Sequence, residues 1–108
     1  MLGLLGLGIR GRLAIVGVDR VREAAHSGTL RFAVIARDAS MNSREKVERL
    51  LVAKGVPTVM IESAVTLGGV AGKESTAVIG VVDAQLAKGI RALFESEGAV
   101  RSGPRGNG

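Results

Sequence analysis

The sequence predicts an α/β fold: a three-layer α/β/α sandwich around a mixed, mostly buried sheet. Three observations point there. Apolar runs of strand length recur at residues 30–36, 56–61 and 76–82. Segments with helical apolar spacing separate them. The strands are apolar on both faces, which calls for helices on each side of the sheet. At 108 residues the chain suits one domain with one core. That domain is expected over residues 1–96, with a disordered Gly- and Arg-containing tail over 97–108.

The elements follow in order. "LGLLGLGIR" has apolar residues at Leu2, Leu5 and Ile9, a helical spacing that its glycines weaken. "RLAIV", residues 12–16, is a short strand. In "VDRVREAAHSG", Val18, Val21, Ala24 and Ala25 share one helical face, and Gly28 is the expected stop. "LRFAVIA" is a buried strand. The next helix is expected to be capped by Asn42, with Glu45 completing a capping box. Val47, Leu50 and Leu51 form its buried stripe, and Gly55 ends it. "VPTVMI" is the next strand, with Pro57 near its start. Ser63 caps a short helix reaching about Ala71. "TAVIGVV" is a further strand. Asp83 caps the last helix, where Leu86, Ile90 and Leu93 share a face.

Charge narrows the function. The net charge is +5, and residues 1–37 carry six arginines against two acids, or +4. Arginine holds phosphate through a planar, bidentate fork, so a nucleic-acid partner is one reading. A basic surface without a ligand is the other. Phe32 and Phe94 are the only aromatic residues and lie in apolar surroundings, so both are expected in the core. This disfavours modules that stack single-stranded bases on exposed rings.

Other classes fall away. There is no cysteine and one histidine, His26, so disulfides and thiolate metal sites are excluded and a histidine zinc site is not expected. No cofactor is expected. "MLGLLGLGI" has no basic residue ahead of it and no clear cleavage site, and no apolar run approaches the roughly 20 residues of a membrane span. A cytoplasmic protein is the expectation. Asp38, Glu45 and Glu48 are expected to be solvated, and no catalytic constellation remains.

Two motifs resemble nucleotide loops and lack their requirements. "TLGGVAGKEST" contains Gly72-Lys73, but a phosphate loop needs glycine where Leu67 stands and a hydroxyl where Glu74 stands. Its glycines also close a helix rather than open one. "GLGIRG" matches G-x-G-x-x-G, yet only five residues precede it and no carboxylate lies near Arg31, about 20 positions on.

Several segments taken together resemble a known family. "LLGLGIRGRLAIVGVDRVREAAHSGTLRFAVIARDAS", "GVPTVMI" and "TLGGVAGK" resemble, in order and spacing, the L7Ae/L30e family of ribosomal proteins, which bind kink-turn RNA. The likeness covers about residues 2–95 and is closest to the bacterial YlxQ-type branch. It implies an α/β/α sandwich, a structured RNA partner, and possible neighbours among ribosomal proteins. It also implies that "TLGGVAGK" carries the family's L-G-x-x-x-G element beside the RNA. Gly68 and Gly69 would there permit close packing, Gly72 would end the helix with positive φ, and Lys73, Glu74 and Ser75 would face the bulged nucleotides.

The family's Gly-x-Asn-Glu pattern, with a lysine three residues later, falls on Gly17, Val18, Asp19, Arg20 and Glu23. Gly17 matches. Asp19 stands for asparagine, Arg20 for glutamate and Glu23 for lysine. Asp19 lacks amide donors and Arg20 has no acceptor, so base reading would differ, although Arg20 can read guanine or hold phosphate. The implied RNA surface is Gly17, Val18, Asp19, Arg20, Arg22, Glu23, Arg37, Gly72, Lys73, Glu74 and Ser75, with phosphate contacts from Arg10 and Arg12. The alternative is a protein-interaction domain, motivated by the same three departures. An enzyme is not expected.

Overall fold

The computed structural model describes residues 2–61 and 63–102, with side chains over 3–61 and 63–95. The elements are α1 (Leu2–Arg10), β1 (Ala14–Val16), α2 (Val18–Ser27), β2 (Phe32–Ala36), α3 (Met41–Lys54), β3 (Thr58–Ile61), α4 (Ala64–Val70), β4 (Val78–Val81) and α5 (Ala84–Ser102). The strands lie in the order β1-β4-β2-β3. β4 runs antiparallel to β1 and β2, while β2 and β3 are parallel. The sheet is therefore mixed, as expected.

The period of two along each strand sorts the core into two halves. Phe32, Val34 and Ala36 of β2, with Ile79 and Val81 of β4, pack with Leu5, Leu67, Ala87 and Ile90 from α1, α4 and α5. Ala33 and Ile35, with Val78, pack with Val21, Ala24, Ala25, Val47 and Leu51 from α2 and α3. This is the α/β/α sandwich. Each fully buried large side chain, such as Phe32 or Ile79, contributes roughly 1.5–3 kcal/mol. Gly80 lets α2 and the segment after it come close: a Cβ there would meet Val21 Cγ2 at 3.0 Å and Leu30 Cδ1 at 2.6 Å.

Several local expectations change. α3 begins at Met41, and its N-cap is Ser40, whose side chain accepts from the Ser43 N–H. Asn42 is already helical and Glu45 is exposed, so no capping box forms. Leu50 is only half-buried, because Val47 and Leu51 occupy the inward stripe. In α5, Leu93 is exposed and Ala87 is buried in its stead, since the inward stripe follows Ala87 and Ile90. Phe32 is in the core, whereas Phe94 is half-buried. β3 is an edge strand with Thr58 exposed and Val59, Met60 and Ile61 half-buried, not one enclosed on both faces. α5 continues through Ser102, past the expected tail boundary at 97; residues 103–108 of that tail lie outside the described residues.

A cationic cleft along the open edge of the sheet

β1, β2 and β3 all point their C-terminal ends to one pole of the sheet, where β4 begins. Three backbone bonds tie the connections there. The Gly17 N–H donates to Val78 C=O (3.0 Å), that of Ala36 to Ala77 C=O (2.8 Å), and that of Arg37 to Ile61 C=O (2.6 Å). The start of α2, the β2–α3 turn and the α4–β4 loop therefore share one surface.

Gly17 makes the turn from β1 into α2. Its φ of 103° and ψ of 155° lie in a region open essentially to glycine alone. No side chain caps α2. Val18 is half-buried against the core, whereas Asp19 and Arg20 are exposed on the first turn. Asp19 also complements the positive end of the helix dipole, a structural role separate from any ligand.

The α4–β4 loop is held by its glycines. Gly72, with φ of 72°, follows α4; its N–H donates to Gly69 C=O (3.3 Å), and the Lys73 N–H donates to Gly68 C=O (2.8 Å). This is a Schellman ending, with the positive φ expected of Gly72. Gly68 lies against the returning loop, and an added Cβ would fall 2.4 Å from Ser75 Cα. Close packing was expected of Gly69 too. It is exposed and has nothing near its Cβ position, because it faces away from the loop. Two further bonds fasten this region. The Thr76 N–H donates to Ala64 C=O (3.0 Å), and the Ala64 N–H donates to Asp38 Oδ1 (2.7 Å). Asp38, expected merely to be solvated, thus braces the β2–α3 turn against α4. Arg44 Nη1 donates to Arg37 C=O (3.0 Å), while its Nε pairs with Glu48 at 3.2 Å.

β1 is an edge strand, and beside it runs a cleft of about 730 Å³. Ile9, Arg12, Ala14, Ile15, Val16, Arg20, Ala71 and Lys73 line it. Among the described residues, three cations surround a floor of small and aliphatic groups, and no carboxylate lines the cleft. The register adds polar groups to that floor. Leu13 C=O accepts from the Val82 N–H and Gly17 donates to Val78, so Ile15 exchanges bonds with Gly80. Ala14 and Val16 consequently direct their N–H and C=O groups away from β4, toward the open edge. A second cleft of about 540 Å³ lies on the α2 side, lined by Ile15, Arg20, Glu23, Ala24, Ser27, Thr29 and Val82. Arg20 stands between the two.

Of the residues expected to face RNA, Arg12, Arg20 and Lys73 meet in the larger cleft, and Glu23 lines the smaller one. Gly17, Asp19, Arg37, Gly72, Glu74 and Ser75 sit at the same pole but outside both linings. Arg10 and Arg22 are exposed and line neither. The floor residues Ile9, Ala14, Val16 and Ala71 carried no signal in the sequence, where they read as ordinary helix and strand positions. Their role depends on β1 lying at the edge, which no local pattern encodes.

Fold and site define a small α/β/α domain that presents a cationic cleft beside a pole of tied loops. Comparison with known proteins places it more narrowly. Residues 9–90 match the Ribosomal protein L7Ae/L30e/S12e/Gadd45 family, and the chain belongs to that family. It is 32% identical over 92 residues to the RNA-binding protein YlxQ of Bacillus subtilis (strain 168), covering 85% of this chain and 92% of that protein. A solved protein of unknown function from Bacillus halodurans C superposes with a TM-score of 0.80 at 29% identity, over 87% of this chain and 95% of that one. The Giardia lamblia 15.5kD RNA binding protein superposes with a TM-score of 0.71 at 23% identity, over 88% and 84% of the two chains, a likeness of fold.

Proposed function

We propose that the chain is a non-enzymatic, cytoplasmic RNA-binding protein that holds a structured, kink-turn-like RNA, in association with the ribosome. The observation that carries this reading is the meeting of Arg12, Arg20 and Lys73 in one cleft with no carboxylate among its described lining residues. The similarity to a protein named as RNA-binding supports it. Arg20, beside Lys73, suits bidentate contact with a phosphate or a guanine edge of the structured RNA, and Arg12 adds a cation to the same cleft. Gly17, Val18, Asp19, Arg22, Glu23, Arg37, Gly72, Glu74 and Ser75 would frame the cleft, and Arg10 would add a peripheral phosphate contact.

The test is titration of a labelled kink-turn RNA and an equal-length duplex at two salt concentrations. The wild type should prefer the kink-turn at both. The doubly substituted Arg20→Ala/Lys73→Ala protein should bind roughly tenfold more weakly at low salt, with a shallower salt dependence. Unaltered binding by that variant would overturn the site; equal binding of both RNAs would overturn the kink-turn preference.

One observation favours a protein partner instead. The smaller cleft mixes Arg20 with Glu23, Ser27 and Thr29, and a polyanion gains less from such a lining. Co-purification with protein, and not RNA, after nuclease treatment would favour this reading.

A further inference from the structure

Four helices end with the same pair of backbone bonds, and one of them does so against the steric preference of its residue. After α2, α3 and α4 the left-handed position is held by Gly28, Gly55 and Gly72. After α1 it is held by Arg12, with φ of 64°, and Arg12 is the one non-glycine residue with positive φ among the described residues. The bonds are equivalent: the Arg12 N–H donates to Ile9 C=O (3.2 Å) and the Leu13 N–H to Gly8 C=O (2.7 Å). Gly11 stands immediately before, one position short of the turn it would suit. An L-residue with a long side chain is disfavoured there, and such outliers cluster where a binding surface requires them.

Arg12 enters the larger cleft from the chain just before β1, and Lys73 from the α4–β4 loop beside the end of that strand. Between them lie the outward-facing backbone groups of Ala14 and Val16, about 7 Å apart along the strand. Val16 is half-buried and Ala14 is deeper. Ile9 and Ala71 supply an apolar wall without an aromatic ring. The arrangement is thus a groove with cations along its length and a row of neutral donors and acceptors at its base. A duplex offers a rigid surface of paired bases. An extended single strand can lower phosphates onto Arg12 and Lys73 while its unpaired base edges and 2′-hydroxyls reach the backbone of β1.

We propose that the open edge of β1 is a subsite for a short single-stranded RNA segment leaving the structured RNA, anchored at its far end by the phosphate contact of Arg12. This rests on the RNA-binding reading above. The left-handed turn holds the guanidinium at the corner between α1 and β1; Arg12 is retained there at some cost in stability.

The experiment compares a kink-turn RNA with the same RNA carrying a three-nucleotide single-stranded extension, against wild type, Arg12→Gly and Arg12→Lys. The wild type should bind the extended RNA about fivefold more tightly. Arg12→Gly should lose that gain and flatten the salt slope by about 0.7 on the extended RNA alone. Its melting temperature should rise by about 4 °C, because glycine suits the turn. Arg12→Lys should keep most of the salt slope. If the extension adds nothing for wild type while Arg20→Ala/Lys73→Ala weakens kink-turn binding, the subsite is wrong and the RNA-binding reading stands. If Arg12→Gly weakens both RNAs equally, Arg12 contacts the structured part and the subsite is again wrong. Failure of wild type to bind either RNA would overturn both proposals.

Discussion

The two poles of the sheet are closed by different means. At the pole away from the loops, α2 and α3 stop on Gly28 and Gly55 with bonds to carbonyls three to six residues back, and the long-range bonds there, from the Arg31 N–H to Val81 C=O (2.8 Å) and from the Val82 N–H to Leu13 C=O (2.9 Å), only extend the strand ladders. At the other pole, connections distant in sequence hold one another. Asp38 reaches Ala64 across 26 residues, Gly17 bonds to Val78, and Gly68 packs on Ser75. Helix ends closed locally tolerate changes in their neighbours. A pole closed by long-range contacts keeps several loops in one arrangement, as a recognition surface requires, because each loop would otherwise lose entropy on binding.

Substitutions can break this contrast. The largest expected effect is Gly68→Val, which sets a side chain into the backbone of Ser75. It should cost about 3 kcal/mol in urea denaturation and displace Lys73 from the cleft, lowering RNA affinity with it. Unchanged stability would mean that the α4–β4 loop is not braced against α4. Next comes Gly17→Ala at about 2 kcal/mol, since the backbone there lies where non-glycine residues are strained. Its counterpart at the far pole, Gly28→Ala, should cost about 1 kcal/mol and leave RNA affinity untouched; a fall in affinity would show that the poles are coupled.

Smaller effects sharpen the picture. Asp38→Ala should cost about 1 kcal/mol, seen as a drop in melting temperature of roughly 4–8 °C, and Asp38→Asn, which keeps an acceptor for Ala64, about half of that. A larger loss for asparagine than for alanine would contradict the capping role. The smallest effect is Gly69→Ala, adjacent to Gly68 but facing open space. It should raise stability by about 0.5 kcal/mol, because alanine is the better helix former. Neighbouring glycines with opposite signs would separate close packing from mere flexibility.

Much of the fold was legible because its signals are local. Strand-length apolar runs marked β2, β3 and β4, and the helix stops at Gly28 and Gly55 follow from glycine's access to the left-handed region. Local signals also misled where two candidates stood close together. Ser40 capped α3 ahead of Asn42, and Leu93 faced solvent while Ala87 went inward. The candidate site was legible in part: Arg12, Arg20 and Lys73 were among the residues that the family resemblance put on the RNA surface. Nothing near them in sequence indicated that they share a cleft, nor that Gly68 and Gly69 would differ.

The sequence by itself determined the layers, because period-two and helical patterns of apolar residues are properties of each segment and decide which face must be buried. It also determined the sign of the surface charge. Only the tertiary structure decided that β1 lies at an open edge, that Ala14 and Val16 turn their backbone groups outward, and that Arg12, Arg20 and Lys73 converge. Those facts follow from strand order and register, which are set by how whole faces pack together and not by any one segment.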